Sequence, residues 1–460
     1  MRFGLYFLLF FFCCACSQQA QTKVIDGILE VPENRTVPNS RTLKLVYKVL
    51  KAKNRNSKKA PILYLQGGPG GATLFMEAFW KNHPLRNDRD IVLMDQRGTG
   101  QSEAICGETG NASLAILGQD LDQDDEYEAL NAIFLECKKT IKENKIDLSG
   151  YNSRENAADF DALRKVLGYE KWNLFGGSYG SRLGLTIMRD FPNSVRSSVL
   201  FSVFAPESYL YKSFIQNFEQ SLFSVLERCE INSDCNKKYP DLKNRLLTSL
   251  EKIQDEPIKF EYQGNLFVLN PQDVLLLLHQ SLYSRNSIGA IPSFITALDT
   301  GKTGPITDFL DIASFSFNLI NIPMYLSVTA YEELPFNNQT DFNENLRQQS
   351  EIGFGPAFFG SDAKILENWH SYRAEDFENQ PVVSDIPTLM ASGSLDPITP
   401  VSNAKESLKH LKNSYEIIFP DESHSLFNSC FFEVCKGFLD DPYKKPNLDC
   451  TTAKNPLQWN

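Results

Sequence analysis

A serine between small residues is the first candidate for chemistry in this sequence. Residues 176–180 read Gly-Gly-Ser-Tyr-Gly, with strand-forming residues before them and helix-forming residues after them. A strand–turn–helix setting of this G-x-S-x-G pattern projects the serine hydroxyl from a sharp turn, which tolerates only small residues two positions to either side. We therefore predict that Ser178 is a nucleophile. The alternative is a glycine-rich loop without a catalytic role.

A nucleophilic serine needs a base, and the chain contains five histidines. His424 is the best candidate because it directly follows a predicted strand, Tyr415–Phe419, and so lies at the same sheet edge as Ser178. The other four lie in an apolar helix, on a lysine-rich helix face or beside loops: His279, His410, His83 and His370. The alternative for His424 is a surface-loop histidine.

The acid that orients the base is expected between the serine and the histidine, the chain order of α/β enzymes with this motif. Asp396 comes shortly after the predicted strand in Ile386–Gly393, again at the carboxyl edge of the sheet. It would fix the imidazole tautomer of His424 and stabilise the imidazolium. Asp421 is too close to His424 in sequence to orient it easily, and Asp385 precedes its strand.

Two backbone N–H groups are candidates for stabilising a developing oxyanion. Tyr179 directly follows the predicted nucleophile at the start of a helix. Gly68, with Gly67 as the alternative, follows the predicted strand Pro61–Gln66, and glycines allow close approach of the backbone to a substrate carbonyl. Arg97 follows the next strand, and we interpret it as a structural residue that pairs with a carboxylate.

These residues need a scaffold that brings several strand ends together. Predicted strands alternate with helices up to about residue 206, and the alternation returns after about residue 380. This pattern predicts an α/β fold with a mainly parallel sheet flanked by helices, built from residues 23–206 and 381–460. Residues 207–380 are rich in Phe, Leu and amphipathic stretches, and they predict an inserted, mostly helical cap.

Composition and charge narrow the class of partners. The 460 residues are 42% hydrophobic and 22% charged, which is ordinary for a globular protein, and the formal net charge is −11. An acidic chain without clustered Lys and Arg argues against nucleic-acid binding. No cysteine or histidine spacing is typical of metal ligands, so we predict no metal site, and the predicted chemistry needs no cofactor.

The N-terminus has the character of an export signal. Arg2 precedes the apolar stretch Phe3–Cys16, which is too short to span a bilayer comfortably, so residues 1–16 are predicted to be a signal peptide. The run Ala15-Cys16-Ser17 resembles the end of a bacterial lipoprotein signal, in which the cysteine is acylated; ordinary secretion is the alternative. We expect an exported protein, either secreted or in the bacterial cell envelope (periplasm or outer membrane lipoprotein), with membrane attachment only through a lipid on Cys16. Seven further cysteines fit an oxidising compartment.

Several motifs together resemble the secreted branch of the proline iminopeptidase family, which includes tripeptidyl aminopeptidases and has the α/β-hydrolase fold. They are "GILEVPENR", "QGGPGG", "DQRGTGQS", "ENAADFDALRKVLGYEKWNLFGGSYGSRLGL", "GSLDPITP" and "SHSLF", in this order. The resemblance places the family's nucleophile, acid and base at Ser178, Asp396 and His424. It also implies three disulfides, with Cys435 left over: Cys106–Cys137, Cys229–Cys235 and Cys430–Cys450.

The resemblance further implies a substrate anchor in the cap. In these exopeptidases cap carboxylates bind the free α-amine of the substrate, and Glu332 or Glu333 in "VTAYEELPF" resembles that anchor. A buried ammonium needs a carboxylate partner, so a blocked N-terminus would be rejected. The alternative is a pair of solvated glutamates.

The predicted function is an exported serine exopeptidase that removes one or a few residues from the free N-terminus of peptides through an acyl-enzyme. An esterase or lipase-like hydrolase of small acyl esters is the alternative, because the same triad serves both chemistries. A third hypothesis is an inactive binding lipoprotein on the same scaffold. We expect peptide substrates with a free N-terminus and a monomeric protein.

Overall fold

The structure is a computed structural model that describes residues 23–337, 352, 364–452 and 456–460. The predicted signal peptide and Cys16 lie outside the described residues and stay predictions. Within those described ranges, none of the helices combines the length and the apolar character that crossing a membrane requires.

The strands of the described residues form one large sheet and one hairpin. They are β1 (Val24–Pro32), β2 (Thr42–Leu50), β3 (Ile62–Leu65), β4 (Ile91–Met94), β5 (Trp172–Ser178), β6 (Val195–Val203), β7 (Ile258–Tyr262), β8 (Asn265–Leu269), β9 (Thr388–Gly393) and β10 (Ser414–Phe419).

Helices cover both faces of the sheet and make up most of the cap. They are α1 (Glu77–Asn82), α2 (Thr109–Leu117), α3 (Gln123–Glu143), α4 (Ser153–Leu167), α5 (Tyr179–Asp190), α6 (Leu210–Ile231), α7 (Ser233–Lys238), α8 (Leu242–Asp255), α9 (Pro271–Ser281), α10 (Arg285–Ile288), α11 (Ile291–Thr300), α12 (Thr303–Leu319), α13 (Ile322–Glu332), α14 (Val401–Leu408) and α15 (Ser429–Asp440).

The large sheet is mainly parallel, as predicted. Its strand order is β1-β2-β4-β3-β5-β6-β9-β10, and the pairs β1–β2 and β2–β4 are antiparallel. The central strands β3 and β4 are buried along their whole length, which fits their unbroken apolar sequences because helices cover both faces. Since β5, β6, β9 and β10 run parallel, the residues that follow β5, β9 and β10 meet at one edge of the sheet.

The cap has a hydrophobic core of its own, separate from the clusters on the two faces of the sheet. That core contains buried side chains of α6, α8, α9, α11 and α12. Two features of the cap region are not predicted from the sequence. One is the antiparallel hairpin β7–β8. The other is the helix pair α2 and α3, which belongs to the first core segment in sequence but packs against the cap. Val268 N of β8 donates to Gly118 O, directly after α2, at 3.0 Å.

Three disulfides are formed, and they are the three that the resemblance implies. They join Cys106 to Cys137, Cys229 to Cys235, and Cys430 to Cys450. Cys435 is buried and unpaired. Since disulfides persist in oxidising compartments, these pairs are consistent with an exported protein.

Candidate active site

Ser178 occupies the sharp turn between β5 and α5. Its backbone has φ 56° and ψ −132°, a conformation that few non-glycine residues adopt. The neighbouring glycines leave no room for a side chain: a Cβ on Gly176 would lie 2.3 Å from Gly180 O, and one on Gly180 would lie 2.1 Å from Leu65 O. The local sequence is therefore what allows Ser178 to stand at the N-terminus of α5.

Asp396 and His424 are in direct contact at the same sheet edge. The His424 Nδ1 atom lies 2.9 Å from Asp396 Oδ2 and 3.1 Å from Oδ1. Thr399 donates to Asp396 from its backbone N–H at 2.8 Å and from its hydroxyl at 2.6 Å. Burial by itself raises the pKa of Asp396, but the charge of His424 and the hydrogen bonds from His424 and Thr399 outweigh it, so the pKa lies below its usual value. An ionised, fixed carboxylate suits the orientation of a general base.

The structure brings the predicted acid and base into contact, and the predicted nucleophile lies at the same edge of the sheet. Among the described contacts, no hydrogen bond joins the Ser178 side chain to His424, although both lie at the carboxyl edge of the parallel strands. Such catalytic hydrogen bonds often tighten only in the complex with substrate.

The predicted oxyanion loop follows β3 and lies beside Ser178. A Cβ on Gly67 would be 3.0 Å from Ser178 Cβ, so the backbone of this loop touches the predicted nucleophile. Gly68, the predicted donor, is the next residue and has φ +126°, a conformation that favours glycine. Asp95 anchors the end of the loop by accepting from Thr73 N at 2.6 Å.

A segment of the cap is paired with the oxyanion loop. Asn321 donates its backbone N–H to Gly70 O at 2.9 Å, and its side-chain amide donates to Ile105 O at 2.8 Å. The side-chain oxygen of Asn321 accepts from Met324 N at 2.9 Å and so caps α13. The helix that carries Glu332 is therefore fixed to the loop that carries Gly68.

Glu332 and Glu333 are buried, which rules out a pair of solvated glutamates. Arg182, on α5 one turn after Ser178, contacts both: Nε lies 2.8 Å from Glu332 Oε2, and one terminal nitrogen lies 2.6 Å from Glu333 Oε1. Glu332 also accepts from the backbone N–H of Ser153 at 2.5 Å and from its hydroxyl at 2.8 Å. Burial opposes the charge of Arg182, but the two carboxylates outweigh it and the pKa of Arg182 lies above its ordinary value.

The same cluster reaches the predicted oxyanion donor. The Tyr179 hydroxyl lies 2.8 Å from the Ser153 hydroxyl, which in turn contacts Glu332. The described part of this acidic cluster, formed by Glu332, Glu333, Arg182 and Ser153, thus contains two carboxylates and one guanidinium beside the nucleophile turn.

Arg97 has the structural role predicted for it. It is buried, and its Nε and one terminal nitrogen each lie 2.8 Å from the Asp159 carboxylate. The rival acids are engaged elsewhere: Asp421 pairs with Arg228 at 2.9 Å, and Asp385 lies 3.4 Å from Lys412.

Sequence reasoning missed three residues that support the site: Thr399, Ser153 and Arg182. Thr399 could have been predicted from the sequence, because a threonine three residues after an aspartate in a turn commonly donates to its carboxylate. Ser153 and Arg182 gave no local signal, since their partners lie more than a hundred residues away.

Comparison with known proteins agrees with this architecture. Residues 60–244 match the α/β hydrolase fold family, and residues 356–450 match the family described as TAP-like protein. A tripeptidyl aminopeptidase of Streptomyces lividans is 27% identical over 208 residues, 42% of this chain and 38% of that protein. A proline iminopeptidase of Neisseria gonorrhoeae is 25% identical over 160 residues, 35% of this chain and 37% of that protein. The proline iminopeptidase aneH of Aspergillus aculeatus is 26% identical over 309 residues, 64% of this chain and 62% of that protein.

The sheet topology and the matching family model agree on the architecture: the chain has the α/β-hydrolase fold. Within that fold, the resemblance to tripeptidyl aminopeptidases and proline iminopeptidases is confirmed, and the chain spans less than two thirds of the length of the relatives given above.

Proposed function

We propose that this hydrolase is an exported serine exopeptidase that removes one or a few residues from peptides with a free N-terminus. The observation that carries the proposal is the acidic cluster, in which the buried Glu332 and Glu333 both contact Arg182, one helical turn after Ser178 on α5. Carboxylates in such a position suit a substrate ammonium, because a charge-assisted hydrogen bond in a water-poor site fixes the amine relative to the scissile carbonyl.

In the proposed mechanism, Ser178 Oγ attacks the carbonyl carbon while His424 takes the hydroxyl proton. Asp396 stabilises the imidazolium through the 2.9 Å contact to Nδ1. The N–H groups of Tyr179 and Gly68 stabilise the oxyanion. His424 then protonates the leaving amine, and water hydrolyses the acyl-enzyme with His424 as the base.

The two carboxylates have different partners. Glu332 already accepts two hydrogen bonds from Ser153 and one from Arg182, so its oxygens hold α13 and α5 to the start of α4. Glu333 contacts Arg182 at 2.6 Å and accepts from the Asn337 side-chain amide at 3.4 Å. We propose that Glu332 orients Arg182, and that the amine binds beside Glu333.

Export rests on separate observations. The three disulfides and the apolar N-terminal stretch both fit a protein that leaves the cytoplasm, and the lipid attachment at Cys16 stays a prediction.

The test of the proposal is hydrolysis of two matched fluorogenic peptides, one with a free N-terminus and one acetylated, by the wild type and by Ser178→Ala. We expect turnover of the free peptide alone, lost in the variant. Equal turnover of both peptides would remove the amine-binding role, and cleavage of simple esters without any peptide cleavage would establish the esterase alternative.

A further inference from the structure

A turn of the cap holds the loop that carries His424. Directly after α9, Leu282 O accepts a hydrogen bond from the Ser423 hydroxyl, and Tyr283 O accepts from Ser425 N at 2.8 Å. The cap peptide is therefore bonded to the residue before His424 and to the residue after it.

The side chain of Tyr283 packs on the imidazole of His424. Their ring centroids are 4.8 Å apart, and the planes meet at 61°, an edge-on arrangement. Asp396 and Thr399 contact Nδ1 of the imidazole, whereas Tyr283 contacts the ring itself. The ring of the predicted base is thus held by hydrogen bonds at one atom and by an aromatic contact across its surface.

Tyr283 is in turn backed by buried rings of the cap. His279 lies on it with centroids 5.3 Å apart, and Phe214 and Phe218 lie 5.0 and 5.4 Å from His279. These four residues form an aromatic column, Phe214, Phe218, His279 and Tyr283, which starts on α6 of the cap and ends on His424.

The orientation of a catalytic imidazole needs such support because its terminal torsion is soft. A base that serves Ser178 must keep Nε2 directed at the hydroxyl while Nδ1 stays on Asp396. Small losses of alignment lower the reaction rate strongly, since the reacting groups must be held in a near-attack geometry.

We infer that Tyr283 is a positioning residue for His424 and that its ring, not its hydroxyl, does this. The inference rests on the proposed function in one respect, namely that His424 is the base. It makes the cap a fixed part of the catalytic machinery in addition to its role in substrate selection.

The experiment compares Tyr283→Leu, which removes the ring, with Tyr283→Phe, which removes only the hydroxyl. Tyr262→Leu is the control, because Tyr262 lies on the cap hairpin and bonds to Asp311. With the free-amine peptide, we expect Tyr283→Leu to lower kcat on the order of tenfold with little change in KM, and Tyr283→Phe to restore kcat to near the wild-type value.

A wild-type kcat for Tyr283→Leu would overturn the inference. An equal loss in Tyr283→Phe would also overturn it, because the hydroxyl would then be responsible. If kcat falls as much in Tyr262→Leu as in Tyr283→Leu, the effect reflects general damage to the cap and the inference fails. Thermal unfolding of each variant identifies any that fail to fold.

Ser178→Ala and His424→Ala separate this inference from the proposed function. If both are inactive and Tyr283→Leu is normal, the positioning role alone fails. If His424→Ala retains wild-type activity, the proposed mechanism fails and the positioning role fails with it. If only esters are cleaved, the same variants are compared on the ester, and the positioning role stands or falls on that kcat.

Discussion

Two buried carboxylate sites lie close to the nucleophile turn, and they differ in how their charge is balanced. Asp396 is a single acid whose oxygens accept from Thr399 and contact the one imidazole of His424. In the acidic cluster, two acids, Glu332 and Glu333, contact the same arginine, Arg182.

The difference separates orientation from recognition. A saturated carboxylate such as Asp396 fixes its neighbour and has no capacity for another cation. Two carboxylates that share one arginine repel each other in a water-poor site. We propose that this pair of acids binds a substrate ammonium.

The largest effect on activity is expected from a variant that disrupts the contact between Asp396 and His424. Asp396→Asn keeps the shape but exposes an amide to Nδ1 of His424, which favours the wrong tautomer. We expect kcat to fall on the order of 10³–10⁴-fold for peptides, measured by steady-state hydrolysis, with the circular dichroism spectrum unchanged. A loss below tenfold would mean that Asp396 does not orient the base.

The next effect distinguishes the two glutamates of the acidic cluster. Glu333→Gln should lower kcat/KM for the free-amine peptide by about 10- to 100-fold, the value of one hydrogen bond to a charged group, and leave ester hydrolysis near the wild-type rate. Glu332→Gln is the matched variant. Its amide nitrogen would face donors from Ser153 or Arg182, so we expect it to lower the melting temperature more than Glu333→Gln does.

The reverse ranking would contradict the assignment within the cluster. If Glu332→Gln impairs only free-amine peptides while Glu333→Gln lowers only the melting temperature, Glu332 is the amine partner. If neither changes the preference for a free N-terminus, the cluster is structural and the amine binds elsewhere.

The smallest effect is on stability, at a carboxylate paired with no cation in the described structure. Glu126 of α3 is buried, one of its oxygens lacks a hydrogen-bond partner there, and burial raises its pKa from 4.5 to about 7. The folded state holds the proton of Glu126 more tightly than the unfolded state does. The contribution of this proton to the free energy of unfolding is therefore fully present below about pH 4.5 and is lost as the pH rises to about 7.

Glu126→Gln should remove that dependence. We expect the variant to exceed the wild type at pH 8 by about 1–3 kcal/mol in the free energy of unfolding, and the two to converge near pH 4. Denaturant titrations at both pH values measure this. A wild-type advantage at pH 8 would show that the Glu126 carboxylate has a stabilising partner.

Much of the fold was predictable because its signals are local. Helix α4 begins at Ser153 and ends at Leu167, where the local sequence marks both ends: Asn152 caps its start, and Gly168 follows its end in a left-handed conformation. The strands before Ser178, Asp396 and His424 are short apolar runs bounded by turn residues. Parallel strand ends share an edge, so the three residues could be placed together without coordinates.

The remaining features depend on contacts that sequence spacing does not encode. The pairing of Arg182 with Glu332 joins residues 150 positions apart. The contact of Tyr283 with His424 arises from how the cap sits on the core. The hairpin β7–β8 differs from these contacts: β7 alternates apolar residues with exposed charged ones, so a signal was present, but each strand has only five residues and lies among strong helical signals.

The most direct test of the central claim is mass spectrometry of the products from one unblocked peptide of mixed sequence, followed over time with the wild type and with Ser178→Ala. The account predicts that every released fragment comes from the N-terminus, that the remaining peptide shortens from that end, and that Ser178→Ala releases nothing. Fragments from the interior or the C-terminus, or an intact peptide alongside rapid ester hydrolysis, would contradict it.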